Sequence, residues 1–289
     1  MVDKTREVRA NQRLITERCF AVLVWIAGIL GIFIPLYIIT FITINGAPIL
    51  SWAFLTLPPA GFPLGTGGGI GPAILGSLAL ITIGLSFSAP LSILAAIFSS
   101  QYCTSHNFLV FVRFFAEVLA SVPSIIYGLF GYALLVVFFD LKISLLAGGI
   151  TIAFMMTPVI FVGTHESFNL ANKELQQAAI SLGVSRLFYI RKVLLPKTLP
   201  SILTVIVLAS MNAMGSAAPI LLTGAIVNSI GEIRLDLPVM SLPSHIFYLV
   251  GEAVSFDHAF GTALVLVGVL IFGNMGVGWL KWRYIKNDG

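Results

Sequence analysis

Three pairs of polar residues stand out in this sequence as able to do chemistry, because the stretches around them are almost wholly apolar. Arg113 and Glu117 are four apart and would share one face of a helix. An ionisable group inside an apolar span is costly and by default marks function. The pair reads first as an intramembrane, intrahelical ion pair near the cytoplasmic boundary that holds its span against its neighbours, and second as a contact to substrate. His165 and Glu166 are adjacent, and neighbouring helical positions point different ways, so the pair is no metal signature. It reads as interfacial charge fixing where a span ends. Asn212 and Ser216 again stand at i and i+4, with Gly215 and Ala218 small enough to let another helix come close. Two readings stay open for them: hydrogen-bonding groups in a small-residue helix interface, or the polar lining of a translocation path.

Other features carry less chemistry. The uncharged stretch from Asn45 to Pro72 contains GFPLGTGGGIGP, but no GK[ST] follows, no strand precedes, and Ile70 or Pro72 takes the place of the last glycine of a G-x-G-x-x-G pattern. It reads as an irregular lead-in to a span, not a phosphate cradle. Cys19 and Cys103 match no ligand or redox spacing and read as packing residues. Glu232, Asp236, Glu252 and Asp257 read as a solvated acidic face, with LPSHIFYLVGEAV among them as a short re-entrant or interfacial helix. No catalytic constellation and no metal site are predicted.

The elements that must position these residues are membrane spans. Of 289 residues 58% are hydrophobic and 10% charged, against about a quarter charged in soluble domains, so the expectation is an all-α polytopic membrane protein. A formal charge of +4 does not call for nucleic acid, which needs basic residues clustered on an accessible face. Six segments reach the roughly 20 apolar residues a span requires: Phe20–Ile44, Ala73–Phe98, Phe114–Phe139, Ser144–Phe161, Ser201–Leu222 and Phe260–Trp279. The first follows a basic N-terminus, yet it exceeds the 7 to 15 apolar residues of a signal peptide and lacks a small-residue cleavage pattern, so it should remain as a span. Pro90, Pro123, Pro158 and Pro219 fall within these apolar stretches and predict kinks.

Six spans put both ends on one side. With the termini, the second-to-third loop with Arg113 at its edge, and the 172–200 segment on that side, only Lys142 and Arg234 of the 16 basic residues fall opposite. Short loops rich in Lys and Arg stay in the cytoplasm. The predicted organisation is a cytoplasmic N-terminus (1–19), a six-span domain (20–280) and a cytoplasmic C-terminus (281–289).

One cytoplasmic stretch has a structure of its own. From Asn172 to Pro200, Leu175, Ala178, Ala179 and Leu182 recur at helical spacing before Gly183 breaks the helix. Ser185 can cap a second short helix with Leu187, Ile190 and Leu194 on one face, giving way at Pro196 and Pro200. Two short helices joined by a glycine form a knob suited to docking on another protein.

Gln177-Ala178-Ala179, then Gly183 and the Leu195-Pro196 stop, resemble the EAA loop of ABC importer membrane subunits, with Gln177 where the motif usually has Glu. GGIGPAILGS (Gly68–Ser77), VRFFAEVLASVPSIIYGLFG (Val112–Gly131), GSAAPILLTGA (Gly215–Ala225) and LPSHIF (Leu242–Phe247) are similar to the phosphate-importer permease family, A-type subunit, across nearly the whole chain. The resemblance implies a type I importer permease fold in the bacterial inner membrane. It also implies two ATP-binding subunits carrying ATP and Mg, a second homologous permease beside this one, and an extracytoplasmic solute-binding protein. No cofactor is implied on this chain, which has no Walker sequence. Gln177, Ala178, Ala179 and Gly183 would form the ATPase-coupling loop.

One departure bears on cargo. The family's R-x-x-G-E-T-A-P segment reads Asn212-Ala-Met-Gly215-Ser216-Ala-Ala-Pro219 here, so both charges are absent. Asn212 and Ser216 become the substrate-path candidates. Inorganic phosphate is the implied cargo, with another anion or polar solute as the alternative. Outside the resemblance, a non-transporting membrane scaffold or sensor could use the same knob. An ATP-independent secondary transporter would need ion-coupling residues or paired broken helices at midplane.

Overall fold

The computed structural model describes residues 2–170, 179, 181, 183–226 and 233–287. Its long helices are α1 (Val2–Gly46), α3 (Gly71–Ile97), α6 (Leu145–Leu170), α8 (Leu195–Met214) and α11 (Phe256–Asn287). Shorter ones are α2 (Trp52–Thr56), α4 (His106–Ala120), α5 (Ser124–Gly131), α7 (Arg186–Tyr189), α9 (Ala218–Leu221) and α10 (Leu242–Gly251). A two-residue hairpin pairs β1 (Pro59–Ala60) with β2 (Gly67–Gly68). Widened helical turns extend α3 over Phe98–Tyr102 and α5 over Tyr132–Phe138, and join α7 to α8 over Ile190–Leu194.

Among the described residues, five helical stretches are long and apolar enough to cross a membrane: Phe20–Ile49, Gly71–Tyr102, Leu145–Leu170, Arg186–Met214 and Phe256–Trp279. The expected third span differs. It is a bent pair, α4 and α5 with its extension, meeting at 95°, and it makes a sixth span only if the pair crosses as one. Pro123 supplies no N–H and disfavours helical backbone at Val122. The bend is clamped, because the Tyr127 hydroxyl donates to the Leu119 carbonyl at 2.7 Å. Arg113 lies inside α4, not at a loop edge.

Three other expectations shift for related reasons. The fifth span ends at Met214, before Pro219, and the chain restarts as α9 with Pro219 in its first turn, where a missing N–H costs nothing. At its other end the span begins earlier, since the helix does not give way at Pro196 or Pro200. The widened turn Ile190–Leu194 precedes Pro196, and helix runs on through both prolines. The fourth span continues past Phe161 to Leu170, so His165 and Glu166 are helical.

Lipid tails are as apolar as leucine, so helices in a membrane associate through close packing. The centre is α6, whose most apolar window is 67% buried where that of α1 is 0%. A side-chain carbon at Gly149 would sit 2.4 Å from Ile83 of α3, and one at Gly148 would sit 3.0 Å from the Gly224 backbone. The Ser92 hydroxyl ties α3 to α6 by donating to the Thr157 carbonyl at 2.8 Å. Around this pair gather Leu80, Ile152, Met156, Ile160 and Met240, all buried. α10 is the predicted short helix, and its first turn is buried in the bundle while Phe247 and Val250 are exposed: a capping box at Ser241 and Ser244 starts it, and the Leu242 N–H donates to Ser77 of α3 at 2.9 Å. α1 packs chiefly on α11, where Gly46 meets the Phe260 backbone.

Tyr127→Phe removes the clamp across the bend while keeping the ring. It should cost about 1 kcal/mol, read as a lowered thermal unfolding midpoint of the purified protein, whereas an unchanged midpoint would mean Pro123 alone sets the bend.

Candidate coupling and translocation sites

The coupling side begins at the end of α6. Gln177 and Ala178 lie outside the described residues, and Ala179 packs on a second apolar cluster. Gly183 has φ +71°, a left-handed conformation that costs a side-chain-bearing residue about 1–2 kcal/mol. The Val184 N–H donates back to the Ala179 carbonyl at 3.0 Å, the six-to-one bond of a Schellman stop with Gly183 as its left-handed residue. Ser185 then caps α7, accepting from the Phe188 N–H at 3.3 Å. The glycine break and the serine cap are thus where residue types alone place them. Leu187 differs: it is exposed, while Tyr189, Ile190 and Leu194 are buried. The widened turn rotates the later residues off the face that a regular helix would share with Leu187.

This second cluster joins the coupling segment to the bundle. Tyr189, Ile190, Leu194 and Ile202 pack with Ala96 of α3, Ala116 of α4, and Phe161 and Phe168 of α6. Arg186 adds a polar tie, donating to the Gln101 carbonyl at 3.3 Å.

Arg113 and Glu117 form the expected i,i+4 pair at 2.7 Å. Glu166 of α6 approaches the same guanidinium at 3.8 Å, so the residue expected only to mark a span end helps join α4 to α6. All three side chains are about half exposed (53% for Arg113, 50% for each carboxylate). His165 stacks on Phe161 and has its Nδ1 3.2 Å from the Asn169 amide.

At the far end of α8, Asn212 is exposed and Ser216 half-buried. Their side chains do not bond to each other; the Ser216 hydroxyl donates to the Asn212 carbonyl at 3.1 Å. Gly215 ends the helix between them and makes no close approach. The close approach falls three residues on, where a side-chain carbon at Gly128 of α5 would lie 2.8 Å from the Ala218 carbonyl. A close helix contact therefore falls at Ala218 and Pro219, and among the described residues Asn212 is exposed.

A cavity of about 710 Å³ lies elsewhere. It is a groove between α3, the bent pair and α6, walled by Phe111, Phe115, Phe130, Phe154 and Phe161. Its hydroxyls on Ser92, Tyr127 and Thr157 already donate to backbone carbonyls. No charged side chain lines it, so it offers an anion nothing.

The glycine-rich stretch is no anion cradle either. The space at Gly68, Gly69 and Gly71 is filled by the carbonyls of Pro58, Phe54 and Thr56, which would repel phosphate. Of the acidic residues, Glu232 lies outside the described residues. Asp236 pairs with Arg234 at 2.9 Å, both exposed, and its own backbone N–H and then Arg234 hold the carboxyl below the usual range. Among the described residues no three His, Cys, Asp or Glu come together as metal ligands.

Spacing alone did not single out His245. It is 2% exposed, with Nδ1 3.4 Å from Thr262 Oγ1 and Nε2 without a partner. It joins α10 to α11 beneath the hairpin, with Gly65 close above. A histidine within an otherwise apolar helix was the signal available.

Residues 88–281 match the family described as binding-protein-dependent transport system inner membrane component. A probable ABC transporter permease protein, YqgI, of Bacillus subtilis is 28% identical over 264 residues, covering 86% of this chain and 88% of its own. The phosphate transport system permease protein PstA 2 of Mycobacterium bovis is 30% identical over 246 residues, covering 83% and 80%. A probable phosphate transport system permease protein PstA of Methanocaldococcus jannaschii is 29% identical over 262 residues, covering 90% and 91%. Among solved structures, inward-facing MetNI methionine ABC transporter chains share the fold, with TM-score 0.57 at 16% identity over 74% of this chain and 94% of theirs.

Because the Arg113 cluster is half exposed, Glu117→Gln and Glu166→Gln should each leave the thermal unfolding midpoint nearly unchanged. Thermal unfolding at low and high salt checks this, and a larger, salt-insensitive loss would place the cluster in the core.

Proposed function

We propose, from the premise that this chain belongs to the binding-protein-dependent transport system inner membrane component family, that it is the membrane-spanning subunit of an ATP-driven importer whose cargo is inorganic phosphate. The observation that carries the cargo is the set of relatives named for phosphate transport, aligned over four-fifths or more of this chain. In the cell the chain would sit in the bacterial inner membrane with both termini cytoplasmic, beside a second, homologous permease. Two ATP-binding subunits would hold ATP and Mg on the cytoplasmic side. A solute-binding protein would deliver cargo from outside.

In this reading the 172–200 loop docks in the ATP-binding subunits. Its stop at Gly183 and its core of Tyr189, Ile190 and Leu194 support it as a lever. A segment sharing one apolar cluster with α3, α4, α6 and α8 cannot move without moving them. ATP-driven closure below would then switch the bundle between outward-facing and inward-facing forms.

The cargo's charge needs a partner that this chain does not place on the fifth span beyond Lys197. No Lys or Arg occurs between Lys197 and Arg234, and in a low-dielectric path an unpaired phosphate is strongly disfavoured. The Asn212 amide offers a neutral hydrogen bond, so the companion permease supplies the cation. The same missing charges favour a second reading, in which the importer carries another anion or a polar solute.

Affinity purification of the chain from its native membrane tests the assembly: an ATP-binding subunit and a second permease should accompany it, and a chain recovered alone would favour a membrane scaffold. Gly183→Pro demands a φ near −65° where +71° is needed. It should leave ATP hydrolysis running while uptake falls at least tenfold, and normal uptake by a well-expressed variant would remove the lever. Asn212→Ala and Ser216→Ala should change the uptake rate or the preference among phosphate, sulfate and arsenate. Wild-type behaviour of both would make them packing residues only.

A further inference from the structure

We propose that α2 and the β1–β2 hairpin form a membrane anchor that lies in the headgroup layer, at the end of α1 away from the N-terminus. Four observations carry it. The stretch from Asn45 to Pro72 contains no Lys, Arg, Asp or Glu. Two of its three aromatic side chains point outward, Trp52 being 80% exposed and Phe62 wholly exposed, while the third, Phe54, is buried and fixes α2 to the bundle. Phe62 stands at the tip of a closed hairpin, where the Gly65 N–H donates to Ala60, the Thr66 N–H to Pro63 and the Gly69 N–H to Pro58. Gly61, Gly65 and Gly68 hold the left-handed φ values that this closure needs. An aromatic ring displayed on so constrained a loop is ordered before it meets its partner, so little entropy is lost when it is buried.

The surroundings identify the partner as lipid. The apolar span Phe20–Ile49 ends three residues before Trp52, so the exposed face of α1 runs directly into this patch. Tryptophan and other aromatic rings concentrate where a bilayer meets water. The charged residues at this end lie on other segments: Arg234 and Asp236 precede α10, while Glu252 and Asp257 follow it. They are close by, since Phe54 of α2 packs its ring on His258 at 5.7 Å and Gly65 meets Leu249 of α10. A soluble receptor would find its ion pairs on those segments and none on the hairpin. The outer rim is thus divided into a charged part facing water and an uncharged aromatic part facing lipid.

The test uses the chain purified with the subunits that accompany it, reconstituted in phosphatidylcholine and phosphatidylglycerol vesicles. In a background carrying Cys19→Ser and Cys103→Ser, a spin label is placed through Phe62→Cys and, as the water-facing control, through Leu235→Cys. Collisions with oxygen should exceed those with an aqueous nickel chelate several-fold at position 62, with the order reversed at position 235. Equal nickel access at the two positions would overturn the anchor. So would a label at 62 shielded from both reagents, or shielded only after the solute-binding protein is added, either of which would make the hairpin a protein-docking surface. A second readout needs no label: brominated lipid should quench wild-type emission more than that of Trp52→Phe, and equal quenching would count against the anchor.

Discussion

Two adjacent glycines, Gly148 and Gly149, set how near α6 can come to its neighbours, and the rest of the bundle is arranged on that contact. Burial of apolar side chains gives helices in lipid little reason to associate, so backbone proximity and the dispersion contacts it allows must do so. Gly149 admits Ile83 of α3, and Gly148 admits the Gly224 backbone. With α3 and α9 seated on α6, the bent pair has a surface to fold over and α8 a surface to lie along.

The half that carries the Gly183 stop repeats the principle with different residues. There a shared cluster, not a glycine contact, joins the parts: Phe161 and Phe168 of α6 meet Tyr189, Ile190 and Leu194 from the beginning of the next span. The chain leaves α6 and returns to the same cluster through the Gly183 stop and the Ser185 cap. The segment between them is therefore packed against α3, α4 and α6 together, which is the arrangement the proposed lever needs.

How much of this was legible in the sequence depended on whether the deciding force was local. Gly183 and Ser185 were readable, because a left-handed stop and an N-cap depend on residue type and immediate neighbours. The apolar spans were readable in number to within the bent pair, whose 26 mostly apolar residues look continuous until the chain must satisfy Val122 and Pro123. Pro196 and Pro200 misled in the opposite direction, since a widened turn just before them keeps the helix going. Glu166 could not be assigned, because its partner Arg113 is 53 residues away in sequence and meets it only through the packing of α4 on α6. The close helix contact at Ala218 was also tertiary, because it depends on where Gly128 of α5 lies.

In the proposed function this chain carries phosphate inward at the expense of ATP held by its partners. The most direct measurement is uptake of labelled phosphate into proteoliposomes containing the purified complex, with ATP enclosed and the phosphate-loaded solute-binding protein outside. Accumulation that needs both the enclosed ATP and the receptor is the predicted result. Uptake that proceeds without ATP, or a complex that hydrolyses ATP with the loaded receptor present yet moves no phosphate, would contradict it.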